Sequence, residues 1–198
     1  MENVLVIPAA VLGDIVRVNG LITGREAEVL ELIARESLFL PRAEAEEAPE
    51  YKQIIPYVAI VRGDEVFATR RLSRGGEARL HGKCSLGVGG HINEIDREHG
   101  DWLMNCLHRE IEEEVAVEDF GVLSLRGLIN DNGNDVGSVH LGFFFTLSTA
   151  GHVTVRETEK LTGGYVPISS LPEKTGGMES WSQIITPELV KLWTAGKL

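Results

Sequence analysis

Residues 109–114 read Arg109-Glu110-Ile111-Glu112-Glu113-Glu114, and how this stretch packs decides the fold around it. Leu103, Leu107, Ile111 and Val115 recur at every fourth position. That spacing predicts an amphipathic helix over 102–115 with one apolar stripe. Asp101 stands where its N-cap belongs. A solvated acidic run should lie opposite the stripe, and Glu112 does. Glu110 and Glu114 instead project within about 20° of the direction of Leu103, and Glu113 lies roughly 60° further round. Three carboxylates at i, i+3 and i+4 therefore share one side, at the edge of the packing face. Like charges so placed repel and cost stability unless something positive sits between them. A divalent cation with oxygen ligands meets that need. Arg109, four residues before Glu113, is placed to orient that carboxylate. The same run also reads as an ordinary solvated helix face, and the residues upstream bear on the choice.

The chain has 198 residues, 43% hydrophobic and 25% charged, enough for one substantial domain or one domain with an extension. A net charge of −11 argues against general attraction to a nucleic acid polymer or an anionic membrane. The two cysteines, Cys84 and Cys106, lack metal-type spacing. They read as buried thiols of a reducing, cytoplasmic compartment. The N-terminus carries neither a basic leader nor an apolar membrane span.

In chain order, Asn3 to Ile7 reads as a short buried strand stopped by Pro8. Val11 to Leu21 is ambiguous and fits a second strand ending at Asn19-Gly20. Thr23 and Glu26 have the spacing of a capping box. A helix follows to about Glu36, with Ala27, Leu30 and Ala34 on one side. Residues 42–50 read as an exposed acidic connection. Gln53–Ile60 and Glu65–Thr69 predict a hairpin turning at Gly63-Asp64. Arg62, Arg70, Arg71, Arg74, Arg79 and Lys83 then place six of the nineteen Lys and Arg within 22 residues. In so acidic a chain this excess suits an anionic substrate, though a solubilising loop would look the same. Gly87, Gly89 and Gly90, followed by His91, allow close backbone approach. Beyond the helix, 122–130 and 137–147 predict a second hairpin about the Asp131–Asp135 turn. Short strands are expected over 152–157 and 164–168, and a loop over 172–177. Thr186-Pro187 is expected to open a final helix to about Thr194.

The Gly pair, the helix and Arg-Glu-x-x-Glu-Glu together resemble the Nudix box of the Nudix (MutT-like) hydrolases. Residues 109–114 match its core in full, and Val117 fits its last aliphatic position. Asp101 stands where the box has an upstream Glu, and Ala116 where it has a second Gly. Ten residues separate Gly90 from Asp101 where the box has five, so this loop carries an insertion. Residues 51–57, 79–83, 89–93, 139–142 and 179–182 resemble a bacterial subgroup of Nudix phosphoesterases, so the similarity covers about residues 50–190.

The resemblance implies an α/β/α sandwich around a mixed β-sheet, built by residues 46–198. Residues 1–45 would be an N-terminal β-α extension packed on that core. It implies a cytoplasmic, homodimeric hydrolase acting on a small phosphate-containing substrate, a nucleoside diphosphate derivative or related pyrophosphate. The cofactor it implies is Mg²⁺, with Mn²⁺ as a substitute. Glu110, Glu113 and Glu114 are the expected ligands, joined by a carbonyl of Gly89 or Gly90, with Arg109 orienting them. Arg70, Arg79, Lys83 and His140 are candidate substrate contacts. Glu113, Glu157, Glu159, Glu179 and Asp101 are candidates for the general base or an extra ligand. His91 could contact phosphate, although a lone His more often makes a structural hydrogen bond. Two other readings share the fold. One is a regulatory module that binds a metabolite without cleaving it. The other is an isomerase that would need a catalytic cysteine.

Overall fold

The computed structural model describes residues 2–72, 83–98, 100–159 and 161–198. The chain divides into two compact units. One comprises Met1–Tyr57, Gly89–His108 and Leu125–Phe144, and the other Val58–Val88, Arg109–Ser124 and Phe145–Leu198.

In the first unit, β1 (Asn3–Pro8) is buried from Val4 to Ile7, as an uninterrupted apolar run requires. It lies between β3 (Leu38–Pro41) and the start of β4 (Tyr51–Arg62), antiparallel to both, with Val6 opposite Leu38 on one side and Gln53 on the other. The ambiguous segment after β1 is not one strand. It forms the short helix α1 (Ala9–Leu12), a 3-10 turn (Ile15–Arg17) and then β2 (Gly20–Ile22). Strand β2 pairs antiparallel with the end of β9 (Leu123–Asn130), Ile22 opposite Leu128.

Helix α2 (Glu26–Glu36) departs from the sequence reading at its start. No side chain caps it, and Glu26 Oε1 instead accepts from the Gly24 N–H at 3.1 Å. Its buried face is Val29 and Ile33, while Ala27, Leu30 and Ala34 are exposed. The supposed exposed connection contains helix α3 (Arg42–Ala45), whose Ala45 is buried against Val4 and Val6. Also wholly or partly in this unit are β7 (Val88–Gly89), helix α4 (Trp102–Glu114), the short helix α5 (Asp135–Ser138) and β10 (His140–Ser148).

In the second unit, β5 (Glu65–Arg71) folds back on the end of β4 as predicted, with Gly63 at φ 59° in the turn. It pairs antiparallel with β6 (Cys84–Ser85) and with β12 (Leu161–Pro167). A separate two-stranded sheet joins β8 (Val115–Val117) to β11 (Val153–Val155). The expected loop over 172–177 overlaps helix α6 (Leu171–Lys174) and a 3-10 turn (Thr175–Gly177).

Helix α7 runs from Ser180 to Thr194, so Pro187 lies inside it and does not open it. Proline there leaves the Gln183 carbonyl without its N–H, at a cost of about 3 kcal/mol. Ile185, Leu189 and Leu192 are buried along one face and outweigh that loss.

The main sheet is mixed and flanked by helices, with hydrogen-bonded neighbours in the order β12-β5-β4-β10-β9-β2. Among the described residues, no helix is long and apolar enough to cross a membrane.

Candidate active site

Helix α4 has the predicted stripe. Leu107, Ile111 and Val115 are buried and Glu112 is exposed. The Asp101 carboxylate accepts from the Met104 N–H at 3.2 Å, so it caps the helix as the sequence suggested. Further along, Arg109 Nη1 stands 2.6 Å from Glu110 Oε1 and 3.5 Å from Glu113 Oε1. The Glu110 side chain is only 14% exposed and that of Glu113 is 58% exposed. Glu110 is thus recessed and Glu113 turned outward on the same guanidinium, and Glu114 is the next residue of the helix. Carboxylate oxygens are donors of the kind a hard divalent cation takes.

The helix leads directly into β8, and pairing with β11 closes its end. The Arg156 N–H donates to the Glu114 carbonyl at 2.9 Å, and Arg156 Nε donates to the Val115 carbonyl at 3.2 Å. This backbone tie brings Glu157 to the C-terminal end of α4. Glu159 is exposed in the turn before β12. Glu179 is engaged elsewhere, for its Oε1 accepts from Ser85 Oγ at 2.5 Å and Ser182 Oγ at 3.3 Å. Arg70 and Lys83 are exposed. Arg79, with Arg74, lies outside the described residues.

In the first unit, Gly89 is demanded by a close approach. A Cβ there would stand 2.2 Å from the Pro56 carbonyl oxygen. The Cys106 thiol, on α4, points to the carbonyls of Gly90 at 3.7 Å and His91 at 3.3 Å. Trp102 lies at a tilt against Phe39, with the Arg97 guanidinium over its ring.

His140 is buried and meets another histidine. Its Nε2 lies 3.1 Å from His91 Nε2, and its Nδ1 lies 2.6 Å from the Val136 carbonyl oxygen. Glu46 Oε1 is 3.8 Å from His91 Nε2. Among the described residues, these three form the group of His, Cys, Asp and Glu whose ligand atoms all lie within 4.8 Å of one another. The sequence reading did not assign Glu46, which is 45 positions from His91 and carries no local signal. It also missed Lys52, which is 2% exposed and donates to Asn132 Oδ1 at 2.9 Å and to the Gly137 carbonyl at 3.2 Å. Burial pulls the Lys52 pKa down to about 8, against the opposing pull of Asp131.

Neither cysteine is poised for catalysis. Burial pushes the Cys84 thiol up, and Cys106 is packed inside.

No protein-family model matches this sequence. It is 41% identical over 169 residues to protein YmaB of Bacillus subtilis (strain 168), covering 81% of this chain and 82% of that protein. The structure is similar to the crystal structure of Tm1382, assigned as a Nudix hydrolase, at 32% identity and a TM-score of 0.83, covering 96% of this chain and 100% of that one. It also shares its fold with the Nudix domain of Shewanella oneidensis NrtR, solved in complex with ADP-ribose. That match has a TM-score of 0.54 at 14% identity, covering 80% of this chain and 99% of that domain. A mixed sheet flanked by helices, with a glutamate-rich helix following a Gly-Gly pair, defines a class of phosphohydrolases. The chain belongs to the Nudix hydrolases. That fold implies hydrolysis of a pyrophosphate bond in nucleoside diphosphate derivatives.

Proposed function

We propose that the chain is a Mg²⁺-dependent pyrophosphohydrolase of a nucleoside diphosphate-linked substrate, with its chemistry centred on α4. The observation that carries this reading is the Arg109 guanidinium between Glu110 and Glu113, beside Glu114. Glu110, Glu113 and Glu114 would hold the metal, with a carbonyl of Gly89 or Gly90 added from the family pattern. Bound Mg²⁺, or Mn²⁺ in its place, offsets phosphate charge and makes water a better nucleophile. Arg109 orients Glu110 and Glu113. Glu157 takes the proton from the attacking water, because the Arg156 tie to Glu114 holds its segment at the end of the metal-binding helix. Arg70, Arg79 and Lys83 neutralise the substrate phosphates.

ADP-ribose, the ligand of the NrtR domain, belongs to the substrate class and leads the panel to be assayed. Phosphate-product release is measured with Mg²⁺ and with EDTA. Turnover of at least one compound is expected only with metal. Glu113→Gln should lose roughly two or more orders of magnitude with unchanged circular dichroism. Tight binding of one compound with no turnover of any would replace this reading with that of a regulatory module. On the family pattern the enzyme is a cytoplasmic homodimer, and light scattering would report the dimer's mass.

A further inference from the structure

We propose that Glu46, His91 and His140 form a second metal site, for a transition-metal dication of the zinc type, with a donor set separate from the α4 carboxylates. The argument begins at His140. A carbonyl oxygen only accepts, so the 2.6 Å contact with Val136 requires the proton on His140 Nδ1. In the neutral ring this leaves the Nε2 lone pair pointing at His91. Metal-binding histidines are oriented in this way, one nitrogen on a backbone carbonyl and the other on the ion.

The spacing fits. Two imidazole nitrogens sharing a tetrahedral ion at ordinary Zn–N distances stand about 3.3 Å apart. The two Nε2 atoms here are 3.1 Å apart, and Glu46 Oε1 completes a triangle at 3.8 Å from His91. A hydrogen bond from His91 to His140 would satisfy the first distance alone. The Glu46 carboxylate at the same nitrogen supplies a third donor of metal-ligating type.

The three ligands sit on fixed backbone within one compact unit. Glu46 follows α3, whose Ala45 is buried under β1. Ile92, next to His91, accepts from the Leu5 N–H at 2.8 Å, and Val139, next to His140, accepts from the Gln53 N–H at 2.7 Å. Helix α5, which supplies the Val136 carbonyl, is held in turn by Lys52 on Gly137. Arg42 Nε, 3.7 Å from the same Glu46 oxygen, helps to hold the carboxylate in place.

Two imidazoles and one carboxylate select zinc-like ions over Mg²⁺. Three protein ligands leave a fourth position for water. The side chains of His91 and Glu46, 12% and 29% exposed, give solvent access to it.

The test uses the full chain, stripped with chelator and titrated with Zn²⁺ by calorimetry and with Co²⁺ by visible absorption. His140 is buried, so His91→Ala and Glu46→Gln carry the test, each checked for native circular dichroism. The expected result is one Zn²⁺ per chain, with the intense visible bands of four-coordinate Co²⁺. Both signals persist in the Glu110→Gln, Glu113→Gln, Glu114→Gln triple variant. Each of His91→Ala and Glu46→Gln weakens binding by more than about 100-fold, beyond what loss of a supporting hydrogen bond costs. Zn²⁺ binding that is absent, that survives both variants or that vanishes in the triple variant would overturn the proposal and leave the histidines as a hydrogen-bonded pair. Pyrophosphatase activity is not part of the readout, so failure of one reading is separable from failure of the other.

Discussion

At the scale of single residues, two side-chain environments make measurable demands. Gly89 is needed because the backbone passes against Pro56. An added methyl would overlap the Pro56 oxygen at 2.2 Å and crowd Tyr57 Cα at 3.1 Å. Neither obstacle is the far end of a flexible side chain. Gly89→Ala should therefore lower the unfolding free energy by about 1–3 kcal/mol, read from denaturant midpoints. The glycine pair was legible in the sequence as a place of close approach. Its partner was not, because Pro56 lies 33 positions away and only strand pairing brings it near. Lys52 was illegible for the same reason, since nothing local marks a lysine inside a strand as buried. Its folded pKa of about 8 lies below the ordinary lysine value of 10.5. Between those values the unfolded chain binds more protons, so the Lys52 contribution to stability rises with pH across that window. The slope is at most about 1.4 kcal/mol per pH unit. Below the window both states are charged and the contribution is flat. Denaturant midpoints compared for wild type and Lys52→Met between about pH 7 and 10 should differ by this slope. Parallel profiles would mean that the amine is solvated.

At the scale of elements, local signals succeeded where the chain uses them locally. The stripe Leu107-Ile111-Val115 and the Asp101 cap of α4 were both readable because a helix face and a cap depend on residues within one or two turns. The cap also separates two roles proposed for Asp101. If Asp101 serves the helix alone, Asp101→Ala costs about 1 kcal/mol of stability and leaves metal-saturated turnover within a small factor of wild type. A loss of orders of magnitude at unchanged stability would instead make it a ligand or base. Local signals failed where tertiary burial overrode them. Thr186-Pro187 has the form of a helix start, yet Ile185, Leu189 and Leu192 carry α7 through it, and the Thr186 hydroxyl donates to the Ser182 carbonyl at 2.7 Å. Thr23 and Glu26 have capping-box spacing, but the Glu26 carboxylate turns to Gly24. Glu110, Glu113 and Glu114 could be read as a set at i, i+3 and i+4 because one helix carries all three. The Glu46–His91–His140 cluster draws on three distant segments and has no spacing to read.

At the scale of the whole molecule, the question is whether residues 1–45 are an accessory to a domain that begins at 46. Strand β1 pairs on both sides, and Val4, Leu5, Val6 and Ile7 are all buried. Fully burying one such side chain stabilises by about 1.5–3 kcal/mol, so these four alone are comparable to the 5–15 kcal/mol by which a typical domain is stable. Removing β1 would also strip the partners of Tyr51, Lys52 and Gln53 at the start of β4 and expose an unpaired edge. The Val4–Asn93 bridge and the Leu5–Ile92 hydrogen bond, which steady the segment carrying His91, would go with it. A chain of residues 46–198 should therefore lack a cooperative thermal transition and dispersed amide resonances, and should bind no stoichiometric Zn²⁺. Supplying residues 1–45 as a separate chain should restore part of both, because β1 joins its neighbours through pairing that needs no covalent continuity. A shortened chain that unfolds cooperatively and hydrolyses the same substrates would show that the catalytic unit is complete without β1. The N-terminal segment would then serve something other than folding.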